Sequence, residues 1–221
     1  MLQGPRVAAA DGTTRGLVVL LHGYGADGAD LAGLAQPLAP LLPGVAFRAP
    51  NAPEACRINP MGRQWFPIPW IDGSSEAEST AGFARSSDVL KRYLKAAMAD
   101  EGVGAAETVL LGFSQGTMMS LHVGPRLDGA LAGIVGFSGR ILPDPHLADM
   151  PHKPPVLLVH GDRDEVIPVA ALGEARDALA KAGFEVAAHV SPGTPHGIAP
   201  DGLTLAARFL VERLPQAAAP A

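Results

Sequence analysis

The sequence predicts an α/β protein with a mostly parallel central sheet and helices on both faces. Short apolar runs recur along the chain, and each is closed by turn-forming residues. The runs are continuously apolar rather than alternating, as is typical of strands buried on both faces. Segments with helical spacing lie between them, and this strand–helix alternation favours parallel pairing.

Six apolar segments are predicted to be strands because Val, Leu and Ile dominate them and Gly or Pro follows. They are residues 17–23, 45–50, 108–114, 131–139, 155–162 and 185–193.

Three segments repeat apolar residues with helical spacing. They are residues 86–102, 169–183 and 201–214. Ser86, Ser87 or Asp88 is the candidate N-cap of the first helix. Gly102 and Gly183 are predicted to end the first and second helices.

The length of 221 residues suits one α/β domain, predicted to span 1–221. A Pro-containing insertion at about 51–82 is long for a structureless connection, so we expect it to be functional or mobile. The tail 215–221 is expected to be disordered.

Composition excludes several function classes. A formal net charge of -5 without a Lys/Arg cluster argues against a nucleic-acid surface. The longest apolar runs are too short to span a bilayer, so we expect no stable membrane insertion. The N-terminus lacks the features of a signal peptide, and the single cysteine, Cys56, fits a reducing compartment. These features predict a cytoplasmic protein.

The segment Gly112-Phe113-Ser114-Gln115-Gly116 fits the pattern G-x-S-x-G. In a nucleophile elbow the serine sits on a strained turn between a strand and a helix, and its neighbours must be small. An apolar run precedes this segment and a helix-like one follows it. Ser114 is therefore the candidate nucleophile, whereas Ser138 in "GFSGR" lacks the second glycine spacing and is interpreted as a strand-end residue.

A serine hydroxyl needs a base, and a carboxylate must hold that base. His196 lies in a Pro/Gly loop after the last predicted strand, where an exposed, positioned base is expected. The carboxylate should follow the preceding strand, which offers Asp162 and Asp164. Spacing alone does not choose between these two aspartates. His160, at the end of that strand, is interpreted as structural.

An oxyanion hole requires two convergent backbone N–H groups. Gln115 follows the nucleophile and supplies the first candidate donor. The Gly-rich loop 20–28 supplies the second through the backbone of Tyr24. No histidine spacing supports a metal site, and the loop lacks the Lys-Ser/Thr of a phosphate loop, so neither a metal nor a cofactor is predicted.

Six motifs resemble, in order and spacing, the α/β-hydrolase carboxylesterases that include acyl-protein thioesterases. They are "LLHGYGADG", "APNAP", "WFPI", "LLGFSQG", "HGDRDEVIP" and "PHGI". The resemblance runs from about residue 16 to 214 and implies the α/β-hydrolase fold. It implies Ser114 as nucleophile, His196 as base and Asp164 as acid, with Tyr24 and Gln115 at the oxyanion positions. A homodimer is one assembly that it allows.

Two features bear on substrate preference. Many members of this family have glycine at the positions of Thr117 and Pro195. We therefore expect the substrate preference of this protein, but not its reaction type, to differ from theirs. In relatives, a loop like that of Trp65 and Phe66 helps form the substrate groove, so these two residues are candidate substrate contacts. The alternative is that they pack the loop onto the core.

These observations predict a serine carboxylesterase that hydrolyses small to medium esters through an acyl-enzyme. Acyl-protein thioesterase or lysophospholipase activity with the same residues is the alternative, because the triad does not select the leaving group. A non-catalytic binding protein would be expected to have a damaged triad, and a dienelactone hydrolase would be expected to have cysteine at position 114.

Overall fold

A seven-stranded sheet forms the centre of the structure, which is a computed structural model describing residues 2–215. The strand order is β1-β3-β2-β6-β7-β8-β9. All pairs are parallel except that of β1 with β3. The prediction of a mostly parallel sheet is confirmed. The expected disorder of 215–221 concerns residues that, apart from Pro215, lie outside the described part.

The six predicted strands are all present. The strands are β1 Arg6–Val7, β2 Gly16–Leu21, β3 Val45–Arg48, β4 Glu54–Ala55, β5 Arg63–Gln64, β6 Thr108–Phe113, β7 Gly133–Phe137, β8 Val156–Gly161 and β9 Val186–Ser191. The α-helices are α1 Gly28–Ala32, α2 Ala35–Leu38, α3 Pro69–Asp72, α4 Glu76–Glu101, α5 Gln115–Val123, α6 Ala170–Lys181 and α7 Pro200–Arg213.

Helices cover both faces of the sheet because successive strand residues point to opposite sides. On β2, Leu17, Val19 and Leu21 face one core, which α4, α5 and α6 complete. Val18 and Leu20 face a second core, shared with α1, α2 and α7. All five of these side chains are fully buried. Continuous apolar composition follows from burial on both faces.

The start predicted for the first long helix is wrong. Helix α4 begins at Glu76, and its N-cap is Ser75, whose hydroxyl accepts from the Glu78 N–H in a capping box. Ser86 and Ser87 are instead buried inside the helix. The predicted helix ends are correct, since Gly102 and Gly183 both have the positive φ of a glycine C-terminal stop.

The insertion 51–82 is structured rather than irregular. It contains the two-stranded antiparallel β4–β5 ribbon, helix α3 and the start of α4. Ion pairs from Arg57 to Glu78 (2.8 Å) and from Arg85 to Glu54 (2.9 Å) join the ribbon to α4. The ribbon is thus attached to the body at two points.

A buried carboxylate joins the sheet edge to α4. Glu101 accepts hydrogen bonds from Arg6 on β1 (2.7 and 2.8 Å) and from Arg48 on β3 (2.6 Å). Its side chain is only 1% exposed.

Among residues 2–215, no helix is long and apolar enough to cross a lipid bilayer.

Candidate active site

The candidate site lies at the carboxyl ends of the parallel strands, where ligands bind in open α/β sheets. Ser114 directly follows β6 and caps α5, with φ 53° and ψ -114°. Such a conformation costs a non-glycine residue about 1–3 kcal/mol and persists only where the surroundings impose it. The Ser114 N–H donates to the Phe137 carbonyl at the end of β7 (2.8 Å), which holds the turn in place.

The two glycines of the motif are required by contact. A Cβ on Gly116 would lie 1.8 Å from the Leu21 carbonyl oxygen, and one on Gly112 would lie 2.4 Å from the Gly116 carbonyl carbon. Strand β6 and helix α5 therefore approach each other, and β2, too closely for any side chain here. This is the steric reason that the sequence pattern implied.

His196 and Asp164 are brought together from different loops. The His196 Nδ1 lies 2.7 Å from the Asp164 Oδ2, and the aspartate side chain is fully buried. The Asp164 Oδ1 accepts from the Val166 (2.9 Å) and Ile167 (2.8 Å) N–H groups. Burial opposes ionisation, but these bonds outweigh it and hold the pKa of Asp164 below its ordinary value. A buried, ionised carboxylate therefore faces the imidazole.

Geometry separates the two aspartates that spacing left open. Asp162 is exposed, whereas Asp164 hydrogen-bonds to His196. His160 is buried, and its Nε2 lies 2.8 Å from the Ile167 carbonyl and 3.2 Å from the Asp164 Oδ2. It lies behind the carboxylate, which agrees with its interpretation as structural.

The Gly-rich loop after β2 runs next to the elbow. A Cβ on Gly23 would lie 3.3 Å from the Ser114 Cβ and 3.1 Å from the Phe113 Cδ1. In the described residues, the N–H groups of Tyr24 and Gln115 donate to no protein acceptor. The Gln115 N–H is free because it belongs to the first turn of α5. Both predicted oxyanion donors are thus available.

The ring of Tyr24 is anchored through Asp72 at the end of α3. The phenol donates to the Asp72 Oδ2 at 2.8 Å, and the same oxygen accepts from the Ile68 N–H at 3.0 Å. Although burial opposes ionisation, hydrogen bonds from Ser74, Ile68 and Tyr24 lower the pKa of Asp72 to about 2. Sequence analysis missed Asp72, because no motif links it to Tyr24.

The side chain of Gln115 binds the insertion. Its Oε1 accepts from the Trp65 N–H (2.8 Å), and its Nε2 donates to the Phe66 carbonyl (2.8 Å). The Trp65 indole N–H donates to the His22 carbonyl at 3.0 Å. Trp65 is 0% exposed and Phe66 is 5% exposed. Their burial favours the packing alternative over substrate contact.

His22 is a second residue that sequence analysis missed. Its Nδ1 lies 2.7 Å from the Gly23 carbonyl, and its Nε2 accepts from the Ala52 N–H at 3.0 Å. Burial lowers its pKa, so the imidazole is kept neutral in this position. His22 thereby connects the Gly-rich loop to the insertion. The "HGYG" motif is the sequence signal for this residue.

The fold and the residues at its strand ends are those of an α/β-hydrolase. A sequence model of the phospholipase/carboxylesterase family matches residues 2–213, and the chain belongs to this family. It is therefore a hydrolase of the esterase or thioesterase kind.

Three similar proteins illustrate the range of the family. Acyl-protein thioesterase 1 of Neurospora crassa is 32% identical over 91% of this chain and 88% of its own length. Esterase YpfH of Escherichia coli is 30% identical over 87% of this chain and 80% of its own length. The crystal structure of esterase PE8 is 43% identical, with a TM-score of 0.90, and covers 96% of this chain and 99% of its own.

Proposed function

We propose that this protein hydrolyses small to medium carboxylic esters through an acyl-enzyme on Ser114. The observation that carries the proposal is the 2.7 Å pairing of His196 with the buried Asp164, together with a serine held in a strained turn at the end of β6. A base oriented in this way can accept the proton of an adjacent hydroxyl.

In the acylation step, the Ser114 Oγ attacks the ester carbonyl carbon while the His196 Nε2 accepts the hydroxyl proton. Asp164 binds Nδ1, which fixes the tautomer and stabilises the imidazolium that forms. The N–H groups of Tyr24 and Gln115 bind the oxygen that becomes negatively charged. His196 then donates its proton to the leaving alcohol oxygen as the carbon–oxygen bond breaks.

Deacylation repeats the same steps with water in place of the serine hydroxyl. His196 accepts a proton from water, and the resulting hydroxide attacks the acyl carbonyl. The imidazolium then returns the proton to the Ser114 Oγ as the acid leaves. No group outside this set of residues is required for proton balance.

Thioester hydrolysis is the second candidate function, because several similar proteins are named acyl-protein thioesterase 1. The same residues would attack a thioester carbonyl, with a thiol as the leaving group. Lysophospholipase activity is a third candidate and would also use the same residues. The carboxylic ester remains our first proposal because esterases YpfH and PE8 are also similar to this chain.

The first experiment is steady-state hydrolysis of p-nitrophenyl esters, acetate through decanoate, by the wild type and Ser114→Ala. We expect turnover of the wild type and a loss of about 10³-fold or more in Ser114→Ala. Ser79→Ala, at a partly exposed serine of α4, is the matched control and should retain full activity. Equal activity of wild type and Ser114→Ala would refute the proposal. If the wild type turned over no p-nitrophenyl ester of any chain length, thioester hydrolysis would become the first proposal.

We also propose that the chain forms one domain, resides in the cytoplasm and forms a homodimer. These three proposals are supported by the length of the chain, by its composition and by its resemblance to the carboxylesterase family, respectively. Sedimentation velocity that detects only monomer at working concentration would remove the dimer.

A further inference from the structure

We propose that a small apolar pocket beside His196 binds the alcohol portion of the ester and selects short apolar alcohols. This inference rests on the proposed function, because it assigns a substrate group to the same site. The pocket has a volume of about 220 Å³ and is lined by Leu31, Leu34, Phe113, Ile198 and the rim residue Asp30.

The lining belongs to the layer of the α1–α2 face. Leu31 on α1 is buried, whereas Leu34, Phe113 and Ile198 are only partly buried against the same core. Their uncovered surface therefore faces the pocket. Three apolar side chains that stop short of full burial around one cavity are the usual lining of a small-molecule site.

Two residues that line the pocket lie next to the candidate reacting residues. Phe113 immediately precedes Ser114, and its ring centroid lies 4.9 Å from that of His196. Ile198 follows His196 by two residues on the same loop. Phe113 thus contacts both the pocket and the imidazole that transfers the proton.

This position assigns the pocket to the alcohol rather than to the acyl group. The leaving oxygen must come within hydrogen-bond reach of His196 to receive its proton, about 2.6–3.2 Å. The first carbons of the alcohol are therefore next to the imidazole, where Phe113 and Ile198 lie. The acyl chain is bonded to the other side of the carbonyl carbon and has no such requirement to lie beside the imidazole.

Size and charge define the alcohol that fits. A water molecule occupies about 30 Å³ of the liquid, so the pocket accommodates a group of roughly seven heavy atoms, such as a hexyl or a benzyl group. The one charged lining group is the Asp30 carboxylate, which is exposed at the rim. It repels anions, so the phosphate-bearing alcohol of a lysophospholipid is disfavoured. The inference therefore favours esters of short apolar alcohols over lysophospholipids.

The test compares two ester series on purified full-length protein. The alcohol series is methyl, butyl, hexyl and benzyl acetate, and the acyl series is methyl acetate, hexanoate and octanoate, both followed by titration of released acid. Leu34→Trp and Ile198→Phe each fill the pocket from a different lining residue. Leu41→Trp places the same bulk on an exposed leucine outside the pocket and is the matched control.

We expect the wild type to prefer hexyl over methyl acetate in kcat/KM. Leu34→Trp or Ile198→Phe should lower that preference about tenfold, because pocket contacts of a few methylenes discriminate on this scale. The acyl-series preference should stay within twofold, and Leu41→Trp should change neither ratio.

Two results would overturn the inference while leaving the proposed function intact. One is an alcohol preference unchanged in both filling variants. The other is a change confined to the acyl series, which would assign the pocket to the acid portion. If instead Ser114→Ala retained hydrolysis of these esters, the proposed function itself would fail, and this inference with it.

Discussion

The hydroxyl of Tyr24 donates a 2.8 Å hydrogen bond to the carboxylate of Asp72, which joins the Gly-rich loop to helix α3. The backbone N–H of Tyr24 is a proposed oxyanion donor, while the ring of the same residue is held from outside. The position of the Tyr24 N–H therefore depends on the hydrogen bond that the Tyr24 hydroxyl makes with Asp72.

Replacement of Tyr24 by Phe should lower kcat about tenfold with little change in KM. The variant keeps the N–H but releases the ring, and an oxyanion donor acts mainly in the transition state. Steady-state kinetics on a p-nitrophenyl ester would measure the split. Tyr93→Phe, at the other tyrosine of the chain, is the control and should leave both constants unchanged. A rise in KM with unchanged kcat would contradict this positioning role.

Replacement of Asp164 by Asn should reduce kcat on the order of 10⁴-fold, as loss of a buried carboxylate partner selects the wrong imidazole tautomer. Asp162→Asn should stay within a few-fold of the wild type, since Asp162 is exposed and lies two residues before Asp164 in the sequence. Circular dichroism spectra of both variants would establish that they fold. Equal losses, or a larger loss at Asp162, would overturn the assignment of the acid.

Thr117 should contribute to stability rather than to substrate choice. It is 1% exposed, and its hydroxyl lies 2.9 Å from both the Gly112 and the Phe137 carbonyls. Its methyl fills the space above Gly136 and Gly139, so it has no surface in the cleft.

We expect Thr117→Gly to lower the free energy of unfolding by about 2 kcal/mol, from a lost hydrogen bond and lower helix propensity. Thr117→Ser keeps the hydroxyl and should lose less. Urea denaturation would measure both. A changed order of preferred esters in Thr117→Gly would reject the purely structural role.

Glu101 should make stability depend on acidity. Hydrogen bonds from Arg6, in the first place, and from Arg48 lower its pKa below the ordinary 4.5, in spite of burial. A carboxylate with a depressed folded-state pKa stabilises the fold above its unfolded pKa. That contribution is lost as the pH falls from about 4.5 through the lower folded value.

Glu101→Gln should therefore lower the free energy of unfolding at pH 7 by about 2 kcal/mol or more, because two guanidinium groups lose their counter-charge. The difference between variant and wild type should shrink as the pH falls below about 4.5. Urea titrations at pH 7 and at pH 4 and below would measure it. A difference that is constant over this range would exclude an ionised Glu101 as the cause.

The sequence was sufficient for six of the seven strands of the sheet and for the turn and helix at Ser114, because continuous apolar runs and glycine stops follow directly from burial and backbone geometry. The two-residue edge strand β1 was not predicted, since it is too short to leave a pattern. The start of α4 was not predicted correctly. Its first ten residues are largely exposed and include only one large apolar side chain, that of Phe83, so helical apolar spacing becomes clear only further along the helix. The Ser75–Glu78 capping box was the local signal, and the buried Ser86 and Ser87 resembled caps.

The site features that the sequence did not predict depend on contacts between residues far apart in the chain. The two-residue strands of the ribbon are too short to leave a pattern, and the bond from Tyr24 to Asp72 joins residues 48 apart. Likewise, burial, which sequence spacing does not report, distinguishes Asp164 from Asp162. Whether Trp65 and Phe66 face the core or the substrate depends on the orientation of the insertion. The Gln115 side chain holds that orientation by hydrogen-bonding to the backbone of both residues.

The order of the strands has a consequence for biosynthesis and refolding. The elbow at Ser114 follows β6, whereas Asp164 follows β8 and His196 follows β9. A nascent chain that has emerged only through β7 holds the serine but neither of its proposed catalytic partners. Ester hydrolysis should therefore return last in a refolding experiment, after β8 and β9 have joined the sheet and α7 has packed against it. The rate at which activity recovers would then measure how fast the C-terminal third of the chain docks.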